Sequence, residues 1–205
     1  MWIRGMLALL LFWGGVAVAQ TTKVSTFVDA LLSAGPQADQ KERMALYNDL
    51  LGDWDVDVID YGPDGIRQKS KGEWYFSWVL EGRAIQDVYI VPSRAIRQAD
   101  KSAKITRYGT SLRAYDPTAG VWRVTWINPV TGAHNMLVGK RRGDEIYQEG
   151  RNLDGSLIRW IFSDVTADSF HWRGETSPDG GKTWSLAAEF FGHRMKSEGG
   201  SKGNQ

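Results

Sequence analysis

Few side chains in this 205-residue sequence are spaced for catalysis. Cysteine is absent, which excludes disulfides, a thiol nucleophile and thiolate metal sites. His134, His171 and His193 never form the i, i+2 or i, i+4 pair of a metal chelate, and no Gly-x-Ser-x-Gly elbow presents a serine. Asp53, Asp55, Asp57 and Asp60 read as the solvated face of a strand, and the one carboxylate pair to consider across a hairpin, Glu175 and Glu189, falls on outward parity. The residues left for chemistry are aromatic. Trp74, Trp78, Trp126, Trp160 and Trp172 share a parity with apolar neighbours, and Gln86, Asn128 and Gln148 fall on the parity of apolar neighbours in their own segments. Such a set suits a small apolar or aromatic ligand, with rings enclosing it and amides orienting it.

The elements that must position these side chains are strands. From Leu51 onward the chain divides into ten strand-length segments: 51–61, 67–80, 83–91, 103–116, 121–128, 134–140, 144–151, 156–162, 169–176 and 183–194. Turn chemistry separates them, for example Gly62-Pro63-Asp64-Gly65, Asn128-Pro129-Val130-Thr131-Gly132 and Asp154-Gly155. Connections this short make antiparallel neighbours, and a meander of that length leaves two open edges unless it closes. The expected fold is therefore mainly β: a closed or nearly closed antiparallel up-and-down barrel of about ten strands, preceded by one or two short helices. One helix is expected over 25–33, ended by Gly35-Pro36. A second follows from an Asp39 cap through the stripe Met44, Leu46, Tyr47, Leu50 and Leu51, and packs on the barrel.

Period-two alternation assigns side chains to the interior: Trp74, Phe76 and Trp78; Trp122, Val124 and Trp126; Ile158, Trp160 and Phe162; Phe170 and Trp172; Trp184, Leu186, Ala188 and Phe190. Two readings of this set compete. The rings pack the core, or they line a pocket in a barrel wider than the eight-stranded kind that side chains just fill. The amides have the corresponding alternative of binding buried water or loop backbone.

The ends bound the setting. Arg4, an apolar run from Met6 to Val18 and Ala17-Val18-Ala19 make residues 1–19 a secretory signal peptide, too short for a spanning helix, so export to the periplasm or beyond is expected. The remaining residues divide into a helical segment 20–50, a barrel 51–195 and a disordered tail 196–205. Loss of Arg4 from the 25 Lys plus Arg leaves 24, matching the 24 Asp plus Glu. A neutral chain without a basic block does not point to nucleic acid, and no long apolar segment remains to enter a membrane.

Ser177-Pro178-Asp179-Gly180-Gly181-Lys182-Thr183-Trp184 resembles the Asp-box hairpin of sialidase-type propellers, but it occurs once where a propeller repeats it, so it reads as a structural turn. Gly52-Asp53-Trp54 resembles the Gly-x-Trp signature of calycin barrels, and Arg194 matches the late arginine that packs over that tryptophan. Trp78-Val79-Leu80-Glu81-Gly82-Arg83, Tyr115-Asp116-Pro117 and Trp122-Arg123-Val124-Thr125-Trp126 are similar to an uncharacterised bacterial family of calycin-like barrels, lipocalin- and fatty-acid-binding-protein-like in fold. The resemblance implies carriage of a small hydrophobic or aromatic molecule, with Trp54 and Arg194 as structural closure. No cofactor is implied. The alternatives are an enzyme working inside the cavity and, as a minor reading, haem held by His193 or His171.

Overall fold

The computed structural model describes residues 26–196; the expected signal peptide and nearly all of the polar tail lie outside the described residues. Ten antiparallel strands run β1 (Gly52–Tyr61), β2 (Arg67–Val79), β3 (Ala84–Val91), β4 (Arg107–Asp116), β5 (Val121–Asn128), β6 (Ala133–Arg142), β7 (Glu145–Arg151), β8 (Leu157–Ser163), β9 (Ser169–Ser177) and β10 (Ser185–Arg194). Each pairs with its neighbour in sequence, and β1 also pairs with β10, so the sheet closes and no edge is left unpaired.

Closure is fixed where the two ends of the sheet meet. Trp54 lies opposite Arg194 in the register, and the guanidinium carbon sits 4.1 Å from the indole centroid. The same guanidinium donates to three backbone carbonyls: Leu51 at 2.7 Å, Asp49 at 2.9 Å and Ala167. Trp54 Nε1 donates to Leu50 O at 2.8 Å. Gly52 is required beside this latch for two reasons. Its φ of +111° disfavours any side chain, and a Cβ there would lie 2.6 Å from Arg194 Nη1.

The N-terminal segment stops one end of the barrel. Met44, Tyr47 and Leu50 are buried, with Tyr47 edge-on to Trp122 at 4.9 Å. The helices that carry them are shorter than the sequence pattern predicts. α1 spans Phe27–Leu31, capped by Thr26, and buries none of its residues; Phe27 is 80 % exposed. The second predicted helix is a 3₁₀ turn Ala38–Gln40, α2 (Lys41–Met44) and a 3₁₀ stretch Ala45–Leu50, and Asp39 lies inside the first turn rather than capping it. Seating Met44, Tyr47 and Leu50 against the barrel end requires the tighter three-residue period. One element escapes the sequence pattern. α3 (Arg94–Ala99) follows β3, with Ser93 as its N-cap accepting from Ile96 N at 3.3 Å, and delays the fourth strand to Arg107.

The β9–β10 hairpin shows what the Asp-box does here. Asp179 accepts from Lys182 N, Thr183 N, Thr183 Oγ1 and Ser177 Oγ at 2.7–3.0 Å. The bonds from Thr183 and Ser177 hold its carboxyl down to about 2. Beyond this turn the register shifts between Leu186 and Ala188. Trp184 and Leu186 consequently lie on the outer face, a correction to the interior assignment. Trp184 packs under the Arg159 guanidinium at 4.0 Å and donates to Gly181 O.

Two outcomes follow from these contacts. Gly52→Ala is expected to cost about 1–3 kcal/mol in urea unfolding with an unchanged m-value, since strain at one position, not the extent of the fold, is altered. The depressed Asp179 carboxyl adds stability that is complete above its ordinary value of 3.8 and fades as pH falls toward about 2. Asp179→Asn should therefore melt below the parent at pH 7, with the gap closing by pH 2; a gap constant over that range would show that the carboxylate bonds do not stabilise the hairpin.

Candidate functional site

The register explains why the interior is not filled. Trp160 faces Gly174 across β8–β9, Gly174 faces Ala188 across β9–β10, and Trp126 faces Ser111 across β4–β5. Large rings thus look across at small residues, and space remains between them. Gly109 lets Trp126 lie against the wall, since a Cβ there would stand 2.6 Å from that indole. On the opposite side Trp172 and Phe190 stack at 4.1 Å with their planes 4° apart, and Trp74 packs 4.7 Å from Tyr89. The space left between these two sides is a cavity of about 220 Å³. Trp126 and Trp160 point inward yet are only part-buried, so the cavity reaches solvent beside them.

Of the eight sequence-predicted ligand residues, the fold brings four together on this wall: Trp74, Trp126, Trp160 and Trp172. The others are placed elsewhere. Trp78 is buried in the core but lies off the cavity wall. Gln86 is on the outer face, donating to Thr110 Oγ1 at 3.0 Å, because Trp78 opposite Ile85 and Phe76 opposite Asp87 fix the inward positions of β3 as the odd-numbered ones. Asn128 is buried but committed to backbone, accepting from Tyr108 N and Val130 N and donating to Thr106 O. Gln148 accepts from the Tyr47 hydroxyl at 3.2 Å, which fastens the N-terminal plug.

The polar residues on the cavity wall are Tyr89, Arg107, Ser111, Arg113, Thr176 and Glu175, the last paired with Arg159 and Arg173; of these the sequence pattern singles out only Glu175, and on outward parity. The strands of the first four invert the usual code. On β3 and β4 the outward residues Val88, Tyr108 and Leu112 are apolar and more than a third exposed, while Asp87, Ser111 and Arg113 are buried. Asp60 also needs correction. It shares the parity of Trp54, Val56 and Val58 and pairs with Arg107, which donates from Nη1 at 3.0 Å and from Nη2 to the second carboxylate oxygen. Burial pulls the Arg107 guanidinium down, but its bonds to Asp60 and the neighbouring Tyr89 outweigh that and leave it above its ordinary value. Arg113 and Asp87 form a second pair with side chains 1 % and 0 % exposed, and Ser111 N donates to the same carboxylate at 2.9 Å.

Other chemistry is not assembled. His171 lies on the outer wall, stacked on Phe191 with Nε2 2.9 Å from Glu189; His193 sits beside Asp57, and His134 is exposed. Neither imidazole considered for haem reaches the cavity. Glu175 lies opposite Leu186 and Glu189 opposite Arg173, so the two glutamates do not face each other. Among the described residues no group of three His, Asp or Glu side chains is arranged to hold a metal ion.

The interior ion pair makes a measurable demand on stability. Arg113→Met strands a buried carboxylate and is expected to cost about 3–5 kcal/mol in denaturant unfolding, whereas the double variant D87L/R113M should regain much of that loss. Equal losses from the single and double variants would show that the cost does not come from the stranded Asp87.

No protein-family model matches the chain, and neither does any curated protein. Solved structures similar to it include the following two. Rv2717c from M. tuberculosis aligns at TM-score 0.53 and 15 % identity over 75 % of this chain and 98 % of its own. The S-type phycobiliprotein lyase CPES from Guillardia theta aligns at TM-score 0.50 and 10 % identity over 80 % and 100 %. At such identities the likeness is one of fold, and with the closed ten-stranded sheet it describes a calycin-like barrel.

Proposed function

We propose that this protein is an exported binding protein for a small, ring-bearing, mostly apolar molecule held in the barrel cavity. The observation that carries this reading is the solvent-connected space of about 220 Å³ walled by Trp74, Trp126, Trp160 and Trp172. A cavity of about 150 Å³ lined by apolar side chains accepts benzene, so this one has room for about two fused rings. Burying about 200 Å² of ring surface at about 25 cal/mol per Å² is worth about 5 kcal/mol, a dissociation constant somewhat below about 1 mM before any polar contact is added. The barrel fold is compatible with such a role.

One similar barrel is named as a lyase, so the architecture does not itself exclude catalysis. The binding reading is favoured here because Arg107 and Arg113 already hold the carboxylates of Asp60 and Asp87, and no histidine stands near Ser111 to activate it. The export part rests on Arg4, the apolar run to Val18 and the small residues Ala17 and Ala19.

Expression with the leader intact, followed by solvent extraction and mass spectrometry of what co-purifies, tests both parts. The expected outcome is a mature chain beginning at Gln20 and an extractable ring compound, with saturable quenching of tryptophan emission when two-ring arenes are added back. Absence of saturable quenching across arenes and fatty acids would reject the binding role, and an uncleaved chain would reject export.

A further inference from the structure

Taking the cavity as a ligand site, its unpaired polar atoms and its charge balance describe the ligand more closely. Among the cavity-lining residues Arg113 Nε, Trp74 Nε1 and the Tyr89 hydroxyl are buried without a hydrogen-bond partner, the last two on residues only 4 % and 2 % exposed. Trp74 and Tyr89 stand opposite each other on β2 and β3 with ring centroids 4.7 Å apart, and both residues line the cavity. An indole N–H only donates. Burial raises the Tyr89 phenol, which therefore stays protonated and also donates. Two donors on paired, cavity-lining residues call for an acceptor, because a buried donor left empty forfeits its hydration.

Charge decides what kind of acceptor. Arg107 is matched by Asp60, with both carboxylate oxygens engaged, and Arg113 is matched by Asp87. The two cations on the wall are thus already neutralised by the protein. A ligand carboxylate would enter as an uncompensated buried charge or would have to displace Asp60 or Asp87 from its guanidinium. We infer that the ligand is an uncharged planar ring compound whose carbonyl-type oxygen receives the Trp74 Nε1–H and Tyr89 O–H bonds.

Calorimetric titration with three probes of similar shape, 1-acetonaphthone, 1-ethylnaphthalene and 1-naphthoate, separates this inference from the cavity reading on which it rests. At neutral pH the ketone should bind about 5–10-fold tighter than the hydrocarbon, and the carboxylate at least tenfold weaker than the ketone. Tyr89→Phe should shrink the ketone-to-hydrocarbon ratio several-fold, and Trp74→Phe should shrink the same ratio. If either variant fails to fold, the three-probe series on the unaltered protein still decides. Naphthoate binding as tightly as the ketone, or a ketone no better than the hydrocarbon, overturns the inference while leaving the cavity reading in place. No binding of either neutral probe overturns the cavity reading and the inference with it.

Discussion

The contact on which the rest depends is the junction of the first and last strands. Up-and-down pairing along the chain makes a sheet, but only the β1–β10 pairing makes a barrel with an inside. Arg194 secures that pairing by sitting over the Trp54 ring and donating to three carbonyls that belong to three different segments, the end of the N-terminal plug, the entry to β1 and the loop before β9. One guanidinium therefore ties the plug, the first strand and the last hairpin together. The planar fork of arginine suits this task, whereas a lysine ammonium would reach fewer of these acceptors.

Closure alone would give a packed core. The open interior comes from where the sequence puts its smallest residues: Gly174 and Ser111 stand across from tryptophans, Ala188 stands across from Gly174, and Gly109 and Gly192 lie beneath rings. The plugged end is tight and polar at its centre, with Tyr47, Gln148, Arg113 and Asp87 buried together. Above them the walls become aromatic, and Arg107 with Asp60 marks the far side. The two ion pairs cost desolvation and are weak contributors to net stability. Their consequence lies elsewhere, in fixing the charge that an occupant of the cavity meets.

Much of the barrel was legible in the sequence because strand period and turn chemistry are local signals. Segments such as 121–128 and 169–176 alternate cleanly, and their Gly- and Asp-rich separators are hairpin turns. The aromatic half of the wall followed from the same parity. Three things did not follow. The bulge beyond Trp184 adds one residue to β10 and reverses the faces before it, which no alternation within that strand reveals. α3 is a single short helix whose Ser93 cap sits in a stretch without helical periodicity. The interior arginines were hidden because β3 and β4 carry apolar side chains on their outer face, so an apolar-inside rule points the wrong way; only pairing with β2 fixes Gln86 outside and Asp87 inside. Asp60 was misplaced more simply, by grouping it with the acidic residues one position out of phase.

Binding as proposed requires the space between the tryptophans to be preformed and not a core waiting to collapse. A crystal structure of the protein as purified, before any ligand is added, tests this most directly. A preformed cavity keeps Trp126 and Trp160 apart from Trp74 and Phe190, with planar density or ordered water in contact with Trp74 Nε1 and the Tyr89 hydroxyl. Rings of Trp126 and Trp160 swung inward to fill the space, with no room left beside those two donors, would contradict it.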